Sequence, residues 1–351
     1  MVTINNSTNL LPLPSFFDPD LVSKVWRVPY LDRAQEAEAW AKKWQIKPAV
    51  TDRVKVCLMA IDVQNTFCQP DFELFVGGSS GRGAIDDNIR LCEFVYQNLG
   101  LITEIAPTMD THTTMQIFHP LFWVNDQGEH PIPAATMITL DDVQKGIWQV
   151  NPAIAHSVAK GNYLGLQKHA YHYVEKLTQA GKYPLTVWPY HAMLGGIGHA
   201  LVSSVEEAFF FHNVVRHSQT NFEIKGGNPL TENYSVLRPE VLEDGSGRPI
   251  AQKNTRFLQK LLNFDAVIIA GQAKSHCVAW TIDDLLTEIL TIDPALAQKV
   301  YLLEDCTSPV VVPGVIDFTA QADQAFDRFT QAGMHIVKSD LPLQDFPGLN
   351  F

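Results

Sequence analysis

The feature that most constrains this chain is a change of pattern at Val54. From there, short apolar runs alternate with stretches of helical period, the runs falling at 54–61, 102–109, 185–188, 265–270, 300–303 and 334–337. Runs this short and this apolar read as strands buried on both faces. Their alternation with helices implies right-handed crossovers, and so an α/β fold with a mostly parallel sheet covered on both sides. Before Val54, residues 1–50 carry early Pro and Asn and then a stretch of good helix formers at 32–44, which reads as an N-terminal extension.

Composition excludes several classes of function. The net charge of −12, with no run of Lys or Arg, offers no basic stripe to a nucleic acid and no anchor to an anionic membrane surface. Five cysteines, odd in number, widely spaced and without a CxxC pair, read as reduced thiols of a cytoplasmic protein. The first residues lack a basic segment followed by an apolar one, and no uncharged apolar run approaches membrane-spanning length. A chain of 351 residues has ample length for a large core, as two domains or as one domain with insertions.

In a parallel α/β sheet, functional groups collect beyond the carboxyl ends of the strands, where loops and helix N-termini meet. Four of the expected strand ends lead into chemistry-bearing residues: Asp62, then Asp110 with His112, then His191, then Cys277. Cys277 follows an apolar strand and opens a helical stretch, where the positive end of the backbone dipole favours a thiolate. Alone, each of these residues has an ordinary structural explanation. Cys277 reads equally as a buried inert thiol, Asp62 as a turn cap, and Lys225, after a short alternating run, as an exposed edge lysine. As a set, an acid, an ammonium and a thiol could transfer a proton and stabilise the resulting charge.

The motifs give this set a precedent. Asp62-Val-Gln-Asn-Thr-Phe67 after an apolar strand, Lys225-Gly226, and the segment from Gly271 to Val278 in the pattern G-x-A-x-x-x-C-V resemble the isochorismatase-like cysteine hydrolases, and among them the nicotinamidase-related amidases. The resemblance runs from about residue 54 to 337, with Thr66 standing where the family pattern has a second acid. It implies a three-layer α/β/α fold and a catalytic triad of Asp62, Lys225 and Cys277. It further implies an oxyanion hole from the N–H groups of Ala273 and Cys277, with a cis peptide between Gln272 and Ala273. The implied reaction is hydrolysis of the C–N bond of a small non-peptide amide through an acyl-thioester, with nicotinamide as the first candidate substrate. Another small amide or ureide is the alternative, as is a non-catalytic binding or assembly role for the fold.

Two further motifs, Asp110-Thr-His112 and Trp188-Pro-Tyr-His191, supply one carboxylate and two imidazoles, a donor set suited to a divalent metal. By the same resemblance Asp110, His112 and His191 hold one such ion, zinc first and iron or manganese as alternatives. Phe67 and Trp188 match positions that pack on the substrate ring. His119 is a rival ligand, set aside because the W-P-x-H pattern selects His191. Ala192-Met-Leu-Gly-Gly196 departs from the family pattern after the metal histidine. The domain expectation is an extension over 1–50 and a hydrolase domain over 51–345, with an enlarged insertion at about 120–184. Residues 162–177 have the spacing of a crossover helix packed on the sheet, and residues 120–150 are expected to wall the pocket. The expected partners are a small-molecule amide and further copies of the chain as a homo-oligomer.

Overall fold

The computed structural model describes residues 10–180, 183–312, 314 and 316–351. The main sheet comprises β1 (Val56–Ile61), β2 (Glu104–Asp110), β3 (Glu223–Lys225), β4 (Ala266–Gly271), β5 (Val300–Leu303) and β6 (His335–Val337). The longer helices are α1 (Tyr30–Trp44), α2 (Gly83–Gln97), α3 (Tyr163–Ala180), α4 (Ser203–Arg216), α5 (Thr255–Leu262), α6 (Ala279–Ile292) and α7 (Thr319–Gln331). Strand order is β6-β5-β4-β1-β2-β3, and the pairings from β6 through to β2 are parallel.

Every residue of β1 and β4 is buried, as a strand covered on both faces requires. Val56, Leu58 and Ala60 join one apolar cluster with Ala37 of α1, Leu91 and Phe94 of α2 and Phe211 of α4. Cys57, Met59 and Ile61, out of phase with them, point to the opposite layer and are equally buried. The fold is a three-layer α/β/α arrangement around a parallel sheet.

The order of the strands locates the switch point of the sheet. β1, β2 and β3 follow one another outward, and the chain then returns to the other flank of β1 to build β4, β5 and β6. The winding reverses between β1 and β4. Such a reversal sends the two crossovers to opposite faces and leaves a crevice beyond the carboxyl ends of those two strands.

The described chain divides into two compact units. The first takes the chain up to Met109, Ala200–Glu223 and Arg256–Phe351; the second takes Asp110–His199 and Ile224–Thr255. Residues 10–50 contribute Val22 and Ala37 to the first unit's core, and α1 covers the expected helix at 32–44. Residues 1–9 lie outside the described part.

The second unit has its own core, built from Phe118, Phe122, Trp123, Ile138, Tyr173 and their neighbours. α3 forms where residues 162–177 led us to expect a helix, and the core it builds is that of the second unit. Its buried Leu166, Ala170, Tyr173, Val174 and Leu177 join this second cluster, which contains no residue of β1 to β6. Residues 120–150 supply Phe122, Trp123, Ile138 and Val150 to the same core.

The run at 185–188 is also not a strand of the main sheet. Only Leu185–Thr186 is extended, pairing antiparallel with Met137–Ile138. The next two amides bond to the carbonyls of Thr136 and Phe118, and Pro189 has no N–H to continue a ladder. β3, from the alternating run that ends in Lys225, takes the place beyond β2. Among the described residues, no helix is long and apolar enough to cross a membrane.

Candidate active site

Asp62 and the Cys277 segment, both in the first unit, follow β1 and β4 at the switch point. Ile61 and Gly271 are register partners at the ends of β1 and β4, so the next residues of both strands emerge at one edge of the sheet. Asp62 is fully buried with a left-handed backbone (φ 48°), a conformation that Asp tolerates better than most residues. Its N–H donates to Thr108 Oγ1 at 3.1 Å, and that hydroxyl donates back to Asp62 Oδ1 at 2.5 Å. The carboxylate is thereby oriented by the neighbouring strand β2.

Gly271 has φ 116°, and a Cβ there would lie 2.0 Å from the Ile61 carbonyl oxygen, so only glycine lets the two strand ends approach. The Gln272–Ala273 peptide is cis, as the motif resemblance implies. A π-helical turn, Lys274–Val278, then leads into α6, so Cys277 sits where the helix begins. The Ala273 carbonyl accepts from the N–H groups of His276 (2.9 Å) and Val278 (3.2 Å). The Ala273 N–H meets no backbone carbonyl among the described residues. All five cysteines are free; burial pushes the thiols of Cys57, Cys68, Cys92 and Cys306 up.

The second unit brings Asp110, His112 and His191 together. All three are buried, and one ligand atom from each lies within 4.8 Å of the others. His112 Nε2 is 2.8 Å and His191 Nε2 3.6 Å from Asp110 Oδ2. The other ring nitrogens face backbone carbonyls, His112 Nδ1 that of Gly226 (3.1 Å) and His191 Nδ1 that of Pro189 (2.7 Å). A carbonyl accepts only, so each Nδ1 carries a hydrogen, and each Nε2 faces the Asp110 carboxylate. Burial holds His191 below the usual imidazole range, keeping it neutral as a ligand must be. Burial alone would raise the Asp110 carboxyl, but His112 and Lys225 beside it hold it well below the usual carboxylate range. These residues therefore fit a divalent cation.

Lys225 is not an exposed edge lysine. It is buried, and its ammonium donates to Asp110 Oδ1 (3.0 Å) and to the Asn233 carbonyl (2.9 Å). Gly226 explains the lysine-glycine pair: at φ 87° it carries the carbonyl that orients His112, and a Cβ would lie 2.6 Å from His112 Cε1 and 2.7 Å from Asp110 Oδ1. Phe67 is buried in the first unit's apolar cluster. Trp188 is half-buried in the second unit, with its indole N–H donating to the Tyr234 hydroxyl at 3.1 Å.

His119, set aside in the sequence, is fully buried with its ring centroid 5.8 Å from that of His112 and 5.7 Å from that of His191. Its Nδ1 faces the Thr113 carbonyl at 3.1 Å, while Nε2 has no hydrogen-bond partner among the described residues. Burial and the two neighbouring histidines push its pKa down to about 3. Thr111 and His199 also border the cluster, 2.8 Å apart between Oγ1 and Nε2. No local spacing in the sequence marked His199.

No protein-family model and no curated protein sequence matches the chain. Solved structures do. A nicotinamidase/pyrazinamidase from Acinetobacter baumanii is 19% identical over 82% of this chain and 98% of its own, with a TM-score of 0.47. The yeast nicotinamidase is 18% identical over 80% of this chain and 99% of its own, with a TM-score of 0.48. A Pyrococcus horikoshii pyrazinamidase solved in complex with zinc is 15% identical over 81% and 99%, with a TM-score of 0.44. The chain is similar to these proteins, and by its motifs it resembles the isochorismatase-like superfamily.

Proposed function

We propose that the chain is a cysteine amidohydrolase that cleaves the C–N bond of a small non-peptide amide, nicotinamide being the first candidate. The observation that carries this reading is the placement of Asp62 and Cys277 at the reversal between β1 and β4, beside an Ala273 N–H with no backbone partner. Residues 51–345 are read as one hydrolase domain with an enlarged insertion at about 120–184.

In this reading the Asp62 carboxylate takes the Cys277 proton, and Thr108 holds Asp62 in the orientation for that transfer. The thiolate attacks the amide carbonyl carbon. The oxygen that becomes negative is stabilised by the N–H groups of Ala273 and Cys277. The C–N bond breaks, ammonia leaves with the proton returned by Asp62, and a thioester remains. Asp62 then takes a proton from water, whose oxygen attacks the thioester to release the carboxylate and restore the thiol. Lys225 stabilises the negative charge on the acid side of these transfers. Through its bond to Asp110 Oδ1 it also keeps the other oxygen of that carboxylate turned to the histidines. Asp110, His112 and His191 would hold a divalent metal, which supplies a Lewis acid able to fix a ring nitrogen or polarise a substrate atom. Phe67 and Trp188 are the proposed apolar contacts to the substrate ring.

The test is ammonia release from nicotinamide, pyrazinamide, maleamate, biuret and carbamoyl amino acids, measured on wild type and Cys277→Ala. Release that disappears with the thiol supports the reading and names the substrate class. Release that persists in the variant, or no release from any of these compounds, refutes it.

A further inference from the structure

Gln272 occupies the variable second position of the G-x-A-x-x-x-C-V segment, and the chemistry above does not use its side chain. It is nevertheless 1% exposed, with both ends of its amide engaged. Nε2 donates to Asp87 Oδ2 at 2.8 Å, and Oε1 accepts from the Ser308 N–H at 3.4 Å. Asp87 projects from α2, is 3% exposed, and takes a second bond on Oδ1 from Arg90 at 2.9 Å. The Arg90 Nε donates in turn to the Asp305 carbonyl. The Lys274 N–H donates to the Ser308 carbonyl at 2.8 Å, and the Gln272 N–H to the Ile61 carbonyl at 2.8 Å. The backbone on both sides of Ala273 is thus clamped by α2, by the loop after β5 and by the end of β1.

A carboxylate is a poor way to pack a helix on a sheet. Burial pushes Asp87 up to about 6 even with Ser308, Gln272 and Arg90 favouring its charged form. A leucine at this position would fill the layer without that cost. What a leucine cannot do is hold the amide of Gln272 in one orientation.

We propose that Asp87 and Gln272 are positioning residues: by fixing the Gln272 side chain, Asp87 holds the adjoining Ala273 N–H where the oxyanion of the reacting amide forms. This rests on the amidase reading given above. Neither residue touches the reacting atoms; both act through the peptide between Gln272 and Ala273. Such donors must be in place before charge develops, because moving them during the reaction forfeits their stabilisation.

The test compares wild type with Asp87→Ala, Gln272→Leu, the double variant and Asp87→Asn by three measurements. These are kcat and KM for the best amide, the rate of Cys277 alkylation by iodoacetamide, and hydrogen–deuterium exchange over residues 271–278. Alkylation needs the thiolate but no oxyanion donor, so it separates a misplaced N–H from a damaged nucleophile. Asp87→Ala and Gln272→Leu should each lower kcat about tenfold or more, against roughly 100- to 1,000-fold for losing such a donor outright. KM and the alkylation rate should stay within about twofold. The double variant should be no worse than the poorer single one, since both break the same link. Asp87→Asn, which keeps an oxygen for Gln272, should stay within about threefold of wild type. Exchange over 271–278 should quicken in the two disabled variants and not in Asp87→Asn.

An unchanged kcat, a parallel fall in alkylation, or independent additive losses would overturn the proposal. If wild type releases no ammonia from any amide, the amidase reading fails. Exchange then decides the clamp alone, unchanged protection in Asp87→Ala refuting it and faster exchange upholding it. Should Asp87→Ala not fold, Gln272→Leu leaves α2 intact and carries the same comparison.

Discussion

Replacing Gly226 by alanine should disable the Asp110, His112 and His191 cluster without touching any of its ligand atoms. Two costs add. Gly226 has φ 87°, where a residue with a Cβ pays about 1–2 kcal/mol. The new Cβ would stand 2.6 Å from His112 Cε1, 2.7 Å from Asp110 Oδ1 and 3.0 Å from His112 Nδ1. Comfortable contact begins at roughly 3.5 Å, so something must shift by about 1 Å. The backbone cannot yield freely, because the Gly226 carbonyl accepts from His112 Nδ1 at 3.1 Å and from Gln116 Nε2 at 2.5 Å. Crowding of this kind costs about 1–3 kcal/mol, giving a total loss of about 2–5 kcal/mol. Losing the bond that orients a ligand histidine should weaken metal binding about 10- to 100-fold. Urea unfolding and calorimetric titration of zinc into chelator-treated protein measure the two effects. Gly227→Ala is the internal control, since nothing lies within 4 Å of a Cβ built there. A Gly226→Ala protein that loses under about 0.5 kcal/mol and binds zinc as wild type does would refute this account of the cluster.

Limited alkylation with peptide mapping should label Cys277 first, because Cys57, Cys68, Cys92 and Cys306 are at most 1% exposed and burial raises their thiols; earlier labelling of any of the four contradicts this. Protein purified without chelator should carry one divalent ion per chain by elemental analysis, and His191→Ala should lose it; an unaltered metal content in that variant would remove His191 from the ligand set. His212 on α4 is fully buried with Nε2 on the Ile102 carbonyl at 3.0 Å, and burial pushes its pKa down to about 4. Its folded pKa lies below its unfolded one, so the stability linked to it is present above pH about 6.5 and is lost as pH falls toward about 4, up to about 3 kcal/mol in all. An NMR titration of the ring near its ordinary pKa would disprove that.

The sequence by itself determined the elements whose information is local. The apolar runs that became β1, β4 and β5 were legible because a strand buried on both faces needs apolar side chains throughout, while β2, which ends in Asp110, and the partly exposed edge strand β6 were marked by the apolar residues within them. Asp110 with His112, and the segment from Gly271 to Val278, were legible because their spacing is short and their neighbours restrictive. Topology and partnership were decided only in three dimensions. The run at 185–188 has strand-like composition, yet four residues closed by Pro189 could be claimed by carbonyls of the second unit, while β3, with Ile224 exposed on the sheet's edge, lacks the apolar signature of a central strand. The stripe on α3 announced a buried face but not which core would bury it, since periodicity records that a face is apolar and nothing about its partner. The bond between Asp87 and Gln272 joins residues far apart in the chain, and the need for glycine at 226 comes from His112 and Asp110 on another segment. Contacts of that kind depend on the path of the backbone through space, and no local pattern of residues encodes them.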